Sequence, residues 1–402
     1  MKKILILLLF ISTIFLTSCS GKSAYDLAVE NGFVGTVEDY LESLEGNDAL
    51  DITIDDLFNY LVEKGDYNSD EYSLFIKDYL NGYISEEINE EVIMNHNLRS
   101  VVNIKVSFKN VLGQNSYYAG SGVVYKIDEE YSYVITNHHV ISSSGDNSII
   151  SSEILVSTYN STKEVQGVYV GSMSSYDLAV IKVKLDNVVE VKVSSNRNYA
   201  GDNIFVIGNP LGYGLSITKG IISVESEYIT VDTIESLRVL RIDASINGGN
   251  SGGALFNKYG ELIGIIDAKV VSEEVEGIGY ALPISYVDTI AKHIIKINSS
   301  VDKVELGIYT KIETSYMYFD EEDLKYYIKD KVVIESVVTN SAAYKAGLEA
   351  NLELISVIIN DKEYKIERNY TLSDLLFDVY KEDNIILKVY SKGVIKEIEI
   401  TL

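Results

Sequence analysis

Ser251 sits in the stretch Ser245-Ile246-Asn247-Gly248-Gly249-Asn250-Ser251-Gly252-Gly253-Ala254, between two glycine pairs. Glycine reaches backbone conformations closed to other residues. It also leaves amide N–H groups uncovered, so that an oxyanion can be held beside a hydroxyl. The stretch suits a nucleophilic serine, and it equally reads as a Gly/Ser/Asn turn between the apolar runs 239–242 and 262–266. A serine hydroxyl becomes a nucleophile only with a base to take its proton and an acid to orient that base. The bases on offer are His138 and His139, in Thr136-Asn137-His138-His139-Val140 at the end of the apolar run 131–135, and His293, in the helix-like run 287–297. The acid on offer is Asp177, where Tyr176-Asp177-Leu178-Ala179-Val180-Ile181 opens another apolar run.

Chain order separates two ways of using such a serine. Gly249-Asn250-Ser251-Gly252-Gly253 satisfies the G-x-S-x-G pattern of α/β-hydrolases, whose order is Ser, then acid, then His. Only His293 follows Ser251, with no glycine-rich loop around it. The order His, Asp, Ser is that of chymotrypsin-like double β-barrels. The elements needed to position the three are dense short strands, at 101–108, 122–127, 131–136, 154–158, 178–183 and 204–207. Many are near-continuous apolar runs, as expected where both faces of a strand are covered.

With these residues in view, 98–297 resembles the protease domain of the HtrA/DegP family of serine proteases, and 300–402 resembles the PDZ domain that follows it. The match is carried by Gly120-Ser121-Gly122-Val123-Val124, Thr136 to Val140, Asp177-Leu178-Ala179-Val180, Gly208-Asn209-Pro210-Leu211-Gly212, the nucleophile loop, and Gly277-Ile278-Gly279-Tyr280-Ala281-Leu282-Pro283. The two prolines of the chain, Pro210 and Pro283, both fall in these strings. The implied fold class is mainly β: two six-stranded barrels forming a chymotrypsin-like protease domain over 96–297, then a PDZ domain over 301–402, with a small acidic helical module over 19–95 before them.

The resemblance assigns the base to His139, leaving His138 at a variable position and expected to be exposed. It makes Asp177 the orienting acid, Ser251 the nucleophile, and the backbone N–H groups of Gly249 and Ser251 the oxyanion donors. Ile246 and Ile266, the latter in Ile265-Ile266-Asp267-Ala268, are expected in a specificity pocket for small or medium aliphatic side chains. Peptidase activity is expected to fall below about pH 6, where an unperturbed imidazole takes up a proton. One departure stands out: the family usually has Pro before the oxyanion glycine, and here Gly248 stands in that place.

Composition bounds the partners. The chain has 402 residues and a formal net charge of −26, which argues against nucleic acid. Four histidines, one cysteine and no phosphate-loop pattern give no support to a metal or nucleotide cofactor. Lys2 and Lys3 precede the apolar run 4–16, too short for a bilayer span and suited to a signal peptide over 1–18. Leu16-Thr17-Ser18-Cys19 resembles a lipoprotein signal, implying lipid attachment at Cys19 and an extracytoplasmic membrane location. Residues 24–95 hold 19 acidic residues against two lysines, with apolar residues at helical spacing. They read as a solvated spacer or as a docking module.

In the C-terminal part, Glu305-Leu306-Gly307-Ile308 resembles a PDZ carboxylate-binding loop, so Leu306, Gly307 and Ile308 are candidate peptide-binding residues. Residues 371–381 read as the groove helix, and 385–390 with 394–402 as a closing hairpin. The expected function is membrane-anchored cleavage of unfolded or damaged proteins, with peptide C-termini as a second class of partner and, by resemblance, a homotrimeric assembly. The alternative is a peptide-binding chaperone with little turnover.

Overall fold

The structure is a computed structural model that describes residues 86–109, 115–143, 146–231, 234–268, 277–320 and 325–402. The expected signal peptide, Cys19 and most of the acidic module lie outside the described residues. Helix α1, Glu86–Asn97, ends that module. It is anchored to the body behind it: Met94 and Leu98 are buried, and Asn97 Nδ2 donates to Gly260 O at 2.9 Å.

The first half contains β1 (Val101–Lys109), β2 (Asn115–Ile127), β3 (Ser132–Asn137), the single-turn helix α2 (His138–Ile141), β4 (Ser142–Ser143), β5 (Asp146–Ile150), β6 (Ile154–Ser157), β7 (Val165–Gln166), β8 (Val168–Met173) and β9 (Leu178–Val183). β4 pairs only with β5, and the other seven form a sheet in the order β7-β6-β1-β2-β3-β9-β8. Its two edge strands are parted in sequence by Gly167 alone, so one bent strand serves both edges and the sheet rolls on itself as six. The second half contains β10 (Asn203–Gly208), β11 (Ser216–Val231), β12 (Ile234–Ile242), β13 (Ala254–Asn257), β14 (Leu262–Ile266) and β15 (Gly279–Pro283), closed as a barrel in the order β10-β11-β12-β15-β14-β13.

The continuous apolar runs have a direct cause. Neighbouring side chains on a strand point to opposite faces. Val102, Val124, Val134 and Ile181 fill the interior of the first sheet, whereas Val101, Val123, Ile135 and Val180 face the second barrel and helix α3. Helix α3, Ile284–Ile297, starts after Pro283 and ends at Asn298 in the left-handed region, φ 53°. Its Ile284, Val287, Ile290, Ala291 and Ile294 repeat at three and four residues and are buried as one stripe. Each large aliphatic side chain so buried contributes about 1.5–3 kcal/mol.

The C-terminal domain is built from β16 (Ile308–Asp320), β17 (Lys325–Val337), the short helix α4 (Ala342–Lys345), β18 (Glu353–Ile359), β19 (Lys362–Lys365), helix α5 (Thr371–Leu375), β20 (Ile385–Ser391) and β21 (Val394–Ile400). The sheet order is β16-β17-β18-β20-β21, with β19 beside β18. The expected hairpin is present, Ser391 facing Val394 across Lys392-Gly393 at φ 50° and 86°. The expected helix over 371–381 is shorter: α5 stops at Leu375, tightens into a 3-10 turn over Leu376–Asp378, and is extended at Val379. The tightening swings Phe377 out of the line of Leu372, Leu376 and Val379. Those three enter the C-terminal core, while Phe377 joins the core of the barrels and stacks on Tyr286 at 5.1 Å.

Candidate active site

Strand register brings the acid and the base together. β3 and β9 pair antiparallel with Asn137 opposite Leu178, so the residues just beyond the pair meet outside the sheet. There α2 turns His139 toward Asp177: the ring Nδ1 lies 2.5 Å from Asp177 Oδ2, and the His139 N–H donates to Oδ1 at 2.8 Å. The Asp177 carbonyl accepts from His138 N–H at 3.0 Å and from Asn137 Nδ2 at 3.1 Å. Asp177 follows a 3-10 turn and has φ 50°, ψ 36°, a region few side chains other than Asn and Asp visit. Strain of this kind persists where the surroundings over-determine it, and here bonds to both carboxylate oxygens and to the carbonyl do so.

His138 differs from expectation. It is 4% exposed, whereas the His139 side chain is 21% exposed. The helical turn splays consecutive side chains by about 100°, which sends His138 inward and His139 toward the cleft.

Ser251 is held against the first barrel rather than only its own. Its carbonyl accepts from Ser121 N–H at 2.8 Å, and the Gly249 carbonyl accepts from Ser121 Oγ at 2.8 Å. Ser121 Oγ in turn accepts from Asn209 N–H at 2.8 Å. A Cβ on Gly252, at φ +81°, would stand 2.2 Å from Ser121 O and 2.3 Å from Thr136 Oγ1, so only glycine lets the loop come so close to β2 and β3. A Cβ on Gly120 would meet Val140, the neighbour of His139, at 2.5 Å and Ser251 O at 3.4 Å. The serine loop and the histidine turn thus share one packing site. Ser251 Oγ accepts a bond from Ala268 N–H at 3.3 Å.

Within the loop, the N–H of Asn250 goes to Asn247 O, that of Gly252 to Ile266 O and that of Gly253 to Asn250 O. Among the described residues, the N–H groups of Gly249 and Ser251 donate to no protein acceptor. Both expected oxyanion donors are thus among the loop N–H groups that make no such bond. Ile266 is fully buried in the second barrel's core, and Ile246 packs half-buried against the same cluster. Leu306 is buried, Gly307 has φ 77°, and Ile308 opens β16. Just before them, Lys303, Val304 and Glu305 border a cavity of about 890 Å³ that reaches Val379, Tyr380 and Leu402.

Ser121 ties the serine loop to the first barrel, a role that no sequence pattern marks beyond its place in the string Gly120-Ser121-Gly122.

Residues 120–265 match the trypsin-like peptidase domain family. A serine protease HtrA-like of Staphylococcus aureus (strain MRSA252) is 32% identical over 298 residues, which are 70% of this chain and 37% of that protein. The serine protease HtrA-like of Staphylococcus haemolyticus is 28% identical over 361 residues, 86% of this chain and 53% of that one. The chain thus spans about 37–53% of the length of these relatives. Among solved structures, the HtrA-type protease AlgW with tripeptide superposes with a TM-score of 0.58 at 24% identity, over 78% of this chain and 96% of that one. AlgW with decapeptide gives 0.54 at the same identity, over 78% and 97%.

The two β-barrel halves have the chymotrypsin-like fold, and residues 120–265 are similar to the trypsin-like peptidase domain. More narrowly, the chain is similar to HtrA-like serine proteases over the stretches just given.

Proposed function

We propose that the chain is a serine endopeptidase that cleaves unfolded or damaged proteins through Ser251, His139 and Asp177. The reading rests chiefly on the His139–Asp177 pair at 2.5 Å, beside a serine loop fastened to the same barrel. In it, Asp177 fixes the ring so that Nδ1 carries its proton and Nε2 acts as the base. Nε2 takes the Ser251 proton as Oγ attacks the peptide carbonyl. The N–H groups of Gly249 and Ser251 receive the oxyanion, each contributing about 3 kcal/mol. His139 then protonates the leaving amine, and water repeats the sequence on the acyl-enzyme.

The proposal extends to the rest of the chain. The C-terminal domain takes peptide C-termini beside Leu306, Gly307 and Ile308. Cys19 carries a lipid anchor that keeps the enzyme on the extracytoplasmic face, and the assembly is a homo-oligomer, a trimer by resemblance. A fluorophosphonate probe on the full chain tests the centre. It should modify Ser251, and Ser251→Ala should abolish both labelling and casein degradation. Labelling at another residue, or casein loss that persists in the variant, would refute the mechanism. Peptide binding that survives with no turnover in the unmodified chain would favour the chaperone reading.

A further inference from the structure

The mechanism above leaves one buried acid at the centre without a task. Asp267, the residue after β14, is fully buried, and a ring nitrogen of His139 and carboxylate oxygens of Asp177 and Asp267 lie within 4.8 Å of one another. Its backbone is fixed on both sides. The Asp267 N–H donates to Tyr280 O at 3.0 Å, Ile266 exchanges bonds with Gly252 and Gly253 at 2.9 and 2.8 Å, and Ala268 N–H meets Ser251 Oγ. One strand end therefore presents this carboxyl group and supports the nucleophile. His139 Nδ1 and Asp177 Oδ2 lie at hydrogen-bond distance, and the Asp267 carboxyl stands beside that pair as a second acid. Among the described residues, the titratable groups around the imidazole are Asp177 before β9, Asp267 after β14 and His138 beside it in α2. The buried Tyr286 phenol of α3 lies within the field of Asp267.

We propose that Asp267 is a second positioning acid of the reacting centre, holding positive charge on His139 together with Asp177. The proposal rests on the serine-protease reading. As the Oγ–carbon bond forms, the Ser251 proton moves to His139 Nε2 and the carbonyl π pair moves to oxygen. The imidazolium so made lies beside two carboxyl groups instead of one. A nearby carboxylate favours the charged ring both in the resting enzyme and during attack. The centre is therefore faster once the ring is neutral, and the ring stays protonated to higher pH. The groups titrate as a set, so the shift belongs to the cluster.

The pH dependence of fluorophosphonate labelling at Ser251 tests this in the full chain and in Asp267→Asn and Asp267→Ser. In both variants the acid limb should move down by about one pH unit, while the plateau rate falls about tenfold. A lower plateau with an unmoved limb would mean a packing role only and would overturn the proposal. So would an unmodified chain whose acid limb has its midpoint below about 6.5, the ordinary histidine value, whether or not the variants fold. A chain never labelled at Ser251 removes the protease reading along with this one. A labelled chain with an unmoved limb removes this one alone.

Discussion

At the scale of single residues, Ser121 carries more of the centre than its size suggests. It is fully buried, and its N–H, Oγ and carbonyl are all engaged, with Ser251, Gly249, Asn209 and Thr136. Ser121→Ala strips the acceptor from a buried Asn209 N–H and the donor from Gly249 O, at about 1–3 kcal/mol of stability. We expect a lower melting temperature and fluorophosphonate labelling slowed about tenfold, and labelling within twofold of the unmodified rate would refute the role. The bonds of Ser121 tie positions 128 residues apart, and a small polar residue leaves no periodic trace of such a link. His139, Asp177 and Ser251 could be picked out because each lies at a boundary between an apolar run and a turn. Asp267 continues an apolar strand, so its sequence setting marks a pocket wall and nothing more.

At the scale of elements, the strands were legible and the groove helix was not. Strand positions followed from runs such as 178–183, apolar on both faces, whose edges the structure reproduces at Leu178–Val183. α5 was overestimated because Leu372, Leu375, Leu376 and Val379 satisfy helical spacing, while the pull of Tyr286 and Tyr176 on Phe377 is a tertiary effect. The serine loop offers its own test at Gly248. A Cβ there meets no atom within 4 Å, and its N–H holds no protein acceptor among the described residues. Proline at this position removes alternative loop arrangements without displacing a neighbour. Gly248→Pro should therefore raise basal peptidase activity, measured with a short peptide substrate, and unchanged or lower activity would dismiss the idea.

At the scale of the molecule, the C-terminal domain is docked on the barrels through a buried polar seam. Arg238, 6% exposed at its side chain, pairs with Asp374, and Arg368 reaches Glu225 at 2.5 Å. Lys303 donates to Ser373 Oγ at 2.6 Å and to Tyr176 OH at 3.1 Å, and Tyr176 is the residue before Asp177. Burial pushes the Lys303 ammonium down to about 8 from 10.5. Below pH 8 the group is charged folded and unfolded, and the fold bears the whole burial cost. Between 8 and 10.5 the unfolded chain binds more protons, so this group adds stability as pH rises. Melting temperatures across that window should climb for the unmodified chain relative to Lys303→Met, and parallel curves would argue against a buried amine.

The crossing of Ser121 to the serine loop also bears on how the molecule comes into being. Residues on one barrel support a nucleophile that is synthesised far later, so a half-emerged chain owns no competent centre. Under the protease reading, cutting power arrives only when the second barrel closes on the first. The growing chain would then carry no proteolytic hazard until its second barrel is complete.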